Sequence, residues 1–223
     1  MKVAIIGTGN VGAAIGGTLA RAGHDVVFAA RDQDEVEHVA ENAGAKAAAS
    51  PAAAVTAADV AILAVPWGAV DDVTNEIRDA SDDTVVVDVT NPLTSDYSGL
   101  ATSGGPSAAE TVARRLPRAH VVKALNTLFG SVQADPQALG TKVDAFYATD
   151  DPIARETIVE LLSSIGFRPV NVGGLAAARE LESLAFLNIR LQMLTGGDWR
   201  SAFVLQGAPA SATQTPALSE VAG

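Results

Sequence analysis

The chain contains no cysteine. Disulfides, thiolate nucleophiles and cysteine-based metal centres are therefore outside its chemistry. Aromatic residues are scarce, 4% of the chain, as two Trp, two Tyr and six Phe. Hydrophobic residues still reach 48%, so the core has to be built from Ala, Val, Leu and Ile. Positive charge is also short: 15 basic against 26 acidic residues, a net charge of -11. Such a field repels phosphate backbones and anionic lipid, which disfavours nucleic acid and membrane surfaces as partners. No apolar run approaches the ~20 residues that span a bilayer. The first strand begins almost at once, leaving no room for a signal peptide, and a cytoplasmic location is expected. There is no HExxH, nucleophile elbow or spaced carboxylate dyad, so no metal site and no catalytic side chain is assigned. The three histidines, His24, His38 and His120, have no Ser, Asp or metal-ligand partner at useful spacing, and are expected to be structural or solvated.

What the chain does have stands at its start. The apolar run Val3-Ala4-Ile5-Ile6 reads as a buried strand and leads into Gly7-Thr8-Gly9-Asn10-Val11-Gly12. A helical pattern follows until Gly23, and residues 26–30 read as a second strand. Strand, glycine loop, helix and strand follow in the order and length of a dinucleotide-binding unit. Gly7 permits the tight turn, Gly9 leaves room for a pyrophosphate, and Gly12 allows close packing of the helix. The free N–H groups of the helix start and the helix dipole then favour the pyrophosphate. A Rossmann-like methyltransferase, or a sheet protein with an incidental glycine turn, would share parts of this pattern.

The end of the second strand bears on the choice of dinucleotide. NAD enzymes usually place a carboxylate there for the ribose 2′-hydroxyl. This chain has Ala30 and then Arg31, a guanidinium suited to a 2′-phosphate, so NADP(H) is expected over NAD(H). Asp32 is expected to cap the next helix, with Glu35 as its capping-box partner.

Further along, residues 31–44 read as a helix and 45–49 as a short third strand. Ser50 and Pro51 form a helix start, and Val60-Ala61-Ile62-Leu63-Ala64-Val65 is a strand buried on both faces. The loop after it, Pro66-Trp67-Gly68, lies where ligands bind outside the carboxyl ends of strands. Trp67 either walls the cofactor or packs on the following helix. A helix (70–80), a strand (84–89), a flexible loop over the site (94–105), a helix (106–116) and a strand (119–125) follow. Asp88 and Lys123 both fall inside strands that should be buried and adjacent, so they are expected to pair. Asn91, Asn126 and Thr127, at the ends of these strands, would present amides and a hydroxyl to ligands. A further strand, helix and strand (144–149, 151–165, 168–172) extend the sheet, and a long helix covers 175–194.

The expected fold is α/β, a Rossmann-type doubly wound, mostly parallel sheet with a small C-terminal helical extension. Residues 1–172 form the NADP-binding domain, 173–206 a small helical part completing the cleft, and 207–223 a disordered tail. The long helix has apolar positions enough for a homodimer interface or for packing on its own domain, and both uses stay open.

The segments GTGNVG, AAR, VPW, VVDVTNPL, SAAE, VVKALNT and NIRLQML with GDW, in this order, resemble the NADPH-dependent oxidoreductases of the deazaflavin coenzyme F420. VVKALNT is also similar to the oxidoreductase domains of six-transmembrane metalloreductases. The resemblance implies reversible hydride transfer between NADP and coenzyme F420 in a cleft between the Rossmann domain and the C-terminal part. It implies that Thr8, Gly9, Asn10 and Val11 hold the pyrophosphate, Arg31 the 2′-phosphate, and Pro66 and Trp67 the middle of the cofactor. Archaeal members carry a hydroxyl residue in place of Ala30 and a histidine in place of Asn126. Two other functions fit the same residues: NADPH oxidation by FMN, FAD or another acceptor, and a redox sensor that binds NADP(H) without turnover.

Overall fold

The structure is a computed structural model, and it describes residues 1–207. The tail expected over 207–223 lies, from residue 208 on, outside the described residues. In chain order, β1 (Lys2–Ile6), α1 (Asn10–Arg21), β2 (Asp25–Ala29), α2 (Gln33–Ala43), β3 (Lys46–Ala47), α3 (Pro51–Thr56) and β4 (Val60–Leu63) make the first half. The second half comprises α4 (Val70–Ile77), β5 (Val85–Asp88), α5 (Ala108–Arg115), β6 (His120–Ala124) and α6 (Gly130–Ala134). β7 (Asp144–Ala148), α7 (Pro152–Ser164), β8 (Arg168–Asn171) and α8 (Ala178–Thr195) complete the fold.

The strands form one eight-stranded sheet in the order β3-β2-β1-β4-β5-β6-β7-β8. Because side chains alternate across a strand, β1 sends Val3 and Ile5 into one core and Ala4 and Ile6 into the other. Both faces are covered by helices, which is why the central strands read as unbroken apolar runs rather than as alternating ones. The sheet is parallel from β3 to β6 and between β7 and β8. β7 enters antiparallel, paired with β6 only through Lys123 with Ala148 and Ala124 with Tyr147.

Helix ends follow local chemistry. Asp32 caps α2 by accepting from the Glu35 N–H at 3.2 Å, so the helix starts at Gln33 and not at residue 31. Ser50 caps α3, with Pro51 in its first turn. Ser107 and Glu110 form a reciprocal capping box on α5. Residues 67–69 make a separate helical turn ahead of α4. α6 was not expected. It lies against α1, where the Thr18 hydroxyl donates to the Gln133 carbonyl at 2.8 Å.

The expected pair of buried charges is present and larger than expected. Asp88 and Lys123 are register partners on β5 and β6, and the Lys123 ammonium donates to Asp88 at 2.9 Å and to the Thr90 carbonyl at 2.5 Å. Glu182 of α8 is a third member, 3.1 Å from Lys123. It also accepts from the Ala108 N–H at 2.9 Å. All three side chains are buried, and burial pushes the Glu182 carboxyl above its ordinary range against the pull of Lys123. The triad fastens α8 to the sheet, which positions the far wall of the cleft described next.

Candidate active site

The opening loop sits at the centre of a long cleft along the carboxyl edge of the sheet. Gly7 has φ +118°, and a Cβ there would stand 2.2 Å from the Ala64 carbonyl oxygen. A Cβ on Gly12 would stand 2.1 Å from the Gly7 carbonyl oxygen, so α1 closes directly onto the loop. The helix–strand contact falls one turn later, where Gly16 lies against the ring of Phe28 on β2. Gly9 differs from these: a Cβ there would meet nothing within 4 Å. The space beside Gly9 is open on the cleft side of an otherwise tight turn.

α1 begins at Gly9 with no side-chain cap and no acidic residue in its first turn. α2, α3, α5 and α7 are all capped by a side chain, from Asp32, Ser50, Ser107 and Asp151. The first N–H groups of α1, like those of α4, α6 and α8, have no side-chain cap, and at α1 the helix dipole favours an anion beside the glycine turn.

Two cavities flank this helix start. One, of about 410 Å³, is bordered by Gly7, Thr8, Gly9, Ala30, Arg31 and Pro66. Arg31 is exposed and forms no ion pair or side-chain hydrogen bond among the described residues. It is the sole cation on this cavity, facing Asp32, Glu35, Asp72 and Glu76. The other cavity, of about 600 Å³, begins at Asn10 and Val11 and is bordered by Asn91, Asn126 and Thr127. Ala185, Ile189 and Met193 of α8 make its far wall, with Leu128 and Phe129 beside them. Together the two cavities flank the start of α1, the larger lined mostly by apolar side chains and the smaller carrying the charged ones.

The strand-end amides are not free in the way the sequence implied. Asn91 donates to the Asn126 carbonyl at 2.9 Å, and Asn126 donates to the Asn91 side-chain oxygen at 3.0 Å and to the Leu181 carbonyl at 3.1 Å. Their N–H groups are spent on one another and on α8. The Asn126 Oδ1 and the Thr127 Oγ1 remain buried without a partner among the described residues, on the wall of the larger cavity. A buried polar atom left unpaired is costly, so these two atoms suit hydrogen-bonding groups of a ligand.

The structure sharpens three expectations. Trp67 borders neither cavity; it is half-buried against the core that holds Val70 and Val73. The loop over residues 94–105 is internally braced, through Thr94, Asp96 and Ser98 and a bridge from Leu93 to Leu100. The histidines do have partners: His24 meets the Ser164 hydroxyl at 2.8 Å and His120 meets Asp151 at 2.7 Å. Those partners are distant in sequence, so no local spacing signals them, and neither histidine borders the two cavities. Among the described residues no three His, Cys, Asp or Glu side chains are grouped to hold a metal. No helix among them is long and apolar enough to cross a membrane. Tyr97 and Trp199, both on the larger cavity, went unassigned in the sequence because they stand in loops without periodicity.

Known proteins similar to this chain share one family description. Residues 2–92 match the family described as NADP oxidoreductase, coenzyme F420-dependent. The chain is 32% identical over 210 residues to an F420-dependent NADP reductase of Methanothermobacter thermautotrophicus, covering 86% of this chain and 90% of that protein. A crystal structure from Arthrobacter sp. FB24, described as a candidate F420-dependent NADP reductase, superposes with a TM-score of 0.84 at 26% identity, over 92% of this chain and 100% of that one. A shorter similarity, 33% over 101 residues, joins 45% of this chain to 20% of the rat metalloreductase STEAP3.

Proposed function

The chain belongs to the family of F420-dependent NADP reductases, and from that premise we propose how its cleft carries out the reaction. It is an oxidoreductase that passes a hydride between NADP(H) and coenzyme F420. The observation that carries the assignment of residues is the uncapped start of α1, with open space at Gly9, lying between two cavities.

On this reading the N–H groups at Gly9, Asn10 and Val11 bind the pyrophosphate, with Thr8 beside them. Gly7 and Gly12 keep the turn tight enough for those groups to converge. Arg31 takes the 2′-phosphate, and Pro66 lines the adenosine side. Asn126 and Thr127 use their unpaired oxygens to orient the nicotinamide end, and Asn91 holds Asn126 in place. When bound, the two carriers supply the hydride donor and acceptor. The protein's share is to hold two flat rings together and keep water out with Leu128, Phe129 and Ile189. Such work needs placement more than a proton donor, and among the described residues lining the larger cavity none is charged.

The same reading divides the chain at residue 172: residues 1–172 bind NADP, and 173–206 supply the wall that completes the cleft. It makes the protein a cytoplasmic enzyme of small-molecule substrates, with no nucleic acid partner, in line with its net charge of -11. It also makes the protein a homodimer, supported by the outward stripe Leu187, Leu191 and Leu194 on α8, which is 48%, 44% and 77% exposed.

The test is spectrophotometric. Purified protein with NADP and reduced coenzyme F420 should regain the absorbance of the oxidised deazaflavin. If only free FMN or FAD oxidises NADPH, the acceptor is a flavin. If NADPH binds and neither acceptor reacts, the protein is a sensor and the catalytic reading falls.

A further inference from the structure

The larger cavity holds a disproportionate share of the chain's aromatic residues. Of two Trp and two Tyr, one of each, Trp199 and Tyr97, lines it together with Phe129. Both are conspicuously uncovered: Tyr97 is 57% and Trp199 44% exposed. A large apolar ring left in water is unfavourable unless something covers it.

Both residues also stand in the left-handed backbone region, at φ 57° for Tyr97 and 58° for Trp199. That region disfavours any residue with a Cβ, and the chain uses glycine at most of its other positive-φ positions. Yet both backbones are held firmly. The Tyr97 N–H donates to the Thr94 carbonyl at 2.9 Å, inside the braced loop after β5. The Trp199 N–H donates to Gln192 at 2.9 Å, its carbonyl accepts from the Ser131 hydroxyl, and its ring meets Phe129 edge-on at 5.3 Å. Two exposed rings carried on firmly hydrogen-bonded backbones at one apolar cavity offer a surface for a flat partner.

We propose that Tyr97 and Trp199 form an aromatic grip for the ring system of the second hydride carrier, and that they set the affinity for that carrier and not for NADP(H). The proposal rests on the reading of this cleft as the meeting place of NADP(H) and a tricyclic deazaflavin. Tyr97 comes from the Rossmann half and Trp199 from the turn after α8, so the grip forms only when both parts are docked.

The experiment uses the full-length protein with oxidised coenzyme F420 and NADPH as separate probes. Tyr97→Ala and Trp199→Ala should each raise the KM and the titrated Kd for the deazaflavin about tenfold, while the Kd for NADPH stays within about twofold. Tyr97→Phe, which keeps the ring, should restore deazaflavin affinity to within about twofold of the parent. Tyr97→Gly should lose deazaflavin affinity as Tyr97→Ala does, yet unfold at a higher temperature, because glycine relieves the left-handed strain. If both alanine variants keep the original deazaflavin affinity, or lose NADPH affinity equally, the grip is refuted. Should Trp199→Ala fail to fold, Trp199→Leu and the Tyr97 series decide by the same criteria. Failure of turnover in the unaltered protein would overturn the catalytic reading instead. In that case the titration of oxidised F420 still judges the grip, and absence of binding overturns it.

Discussion

At the scale of single residues, the opening glycines separate into two kinds that look alike in the sequence. A methyl group on Gly7 or Gly12 would run into backbone, at 2.2 Å and 2.1 Å, whereas on Gly9 it would enter empty space. Gly7→Ala and Gly12→Ala are therefore expected to lower the melting temperature sharply. Gly9→Ala should melt within a few degrees of the parent and still lose NADPH affinity, because the methyl would occupy the ligand's place. Parallel thermal melts and NADPH titrations check this, and a Gly9→Ala protein that binds NADPH normally would remove the pyrophosphate assignment. Arg31 is the companion case. Among the described residues it has no partner and is the sole cation lining its cavity, alongside four carboxylates. Arg31→Ala should weaken NADPH by about 1–3 kcal/mol, the scale of a charge-assisted contact, and leave NADH almost unchanged. Equal losses for the two would detach Arg31 from the 2′-phosphate.

At the scale of elements, the question is what holds α8 and the loop after β5 in place. For α8 it is the buried triad, in which one ammonium serves two carboxylates with side-chain exposures of 0% and 1%. Removing Lys123 leaves both buried carboxylates without their cation, at a cost of about 3–5 kcal/mol, whereas removing Glu182 leaves the Asp88–Lys123 pair intact. A double-mutant cycle on Lys123 and Glu182, read by urea unfolding, should show coupling above about 1 kcal/mol; additive losses would mean that Glu182 sits there independently. For the loop the brace is Asp96. Hydrogen bonds from the Thr94 and Ser98 hydroxyls hold its carboxyl at about 2, below the ordinary 3.8. A depressed value adds stability above the unfolded-state pKa and loses it as pH falls through the folded one. The brace should thus hold through mildly acidic conditions and release only as pH approaches about 2. An NMR titration of the Asp96 carboxyl reports this, and a midpoint near the ordinary value would contradict it.

At the scale of the whole molecule, the described residues leave apolar surface uncovered at two places beside α8. One is the grip on the cleft, and the other is the outward face of α8. The inward face is fully used, by Leu181, Ala185, Asn188 and Gln192. The outward stripe is exposed, and the homodimer proposed above would cover it. Leu191→Glu combined with Leu194→Glu should convert a dimer into a monomer in light scattering without unfolding it. A parent protein that is already monomeric at micromolar concentration would refute the dimer.

The sequence by itself determined the opening unit and the sheet that follows from it. A glycine turn, a buried strand and a capped helix are specified by neighbouring residues, so GTGNVG and the caps at Asp32 and Ser50 could be read directly. It also determined that Asp88 and Lys123 would meet, because a charge inside a buried strand requires an opposite one. Tertiary structure alone decided that Glu182 joins them, that β7 turns antiparallel, that Asn91 and Asn126 hydrogen-bond to each other, and that Tyr97 and Trp199 share one cavity. Each of these joins residues far apart along the chain. Closing such loops leaves no local pattern of period or spacing, and only the packed fold brings the partners within reach.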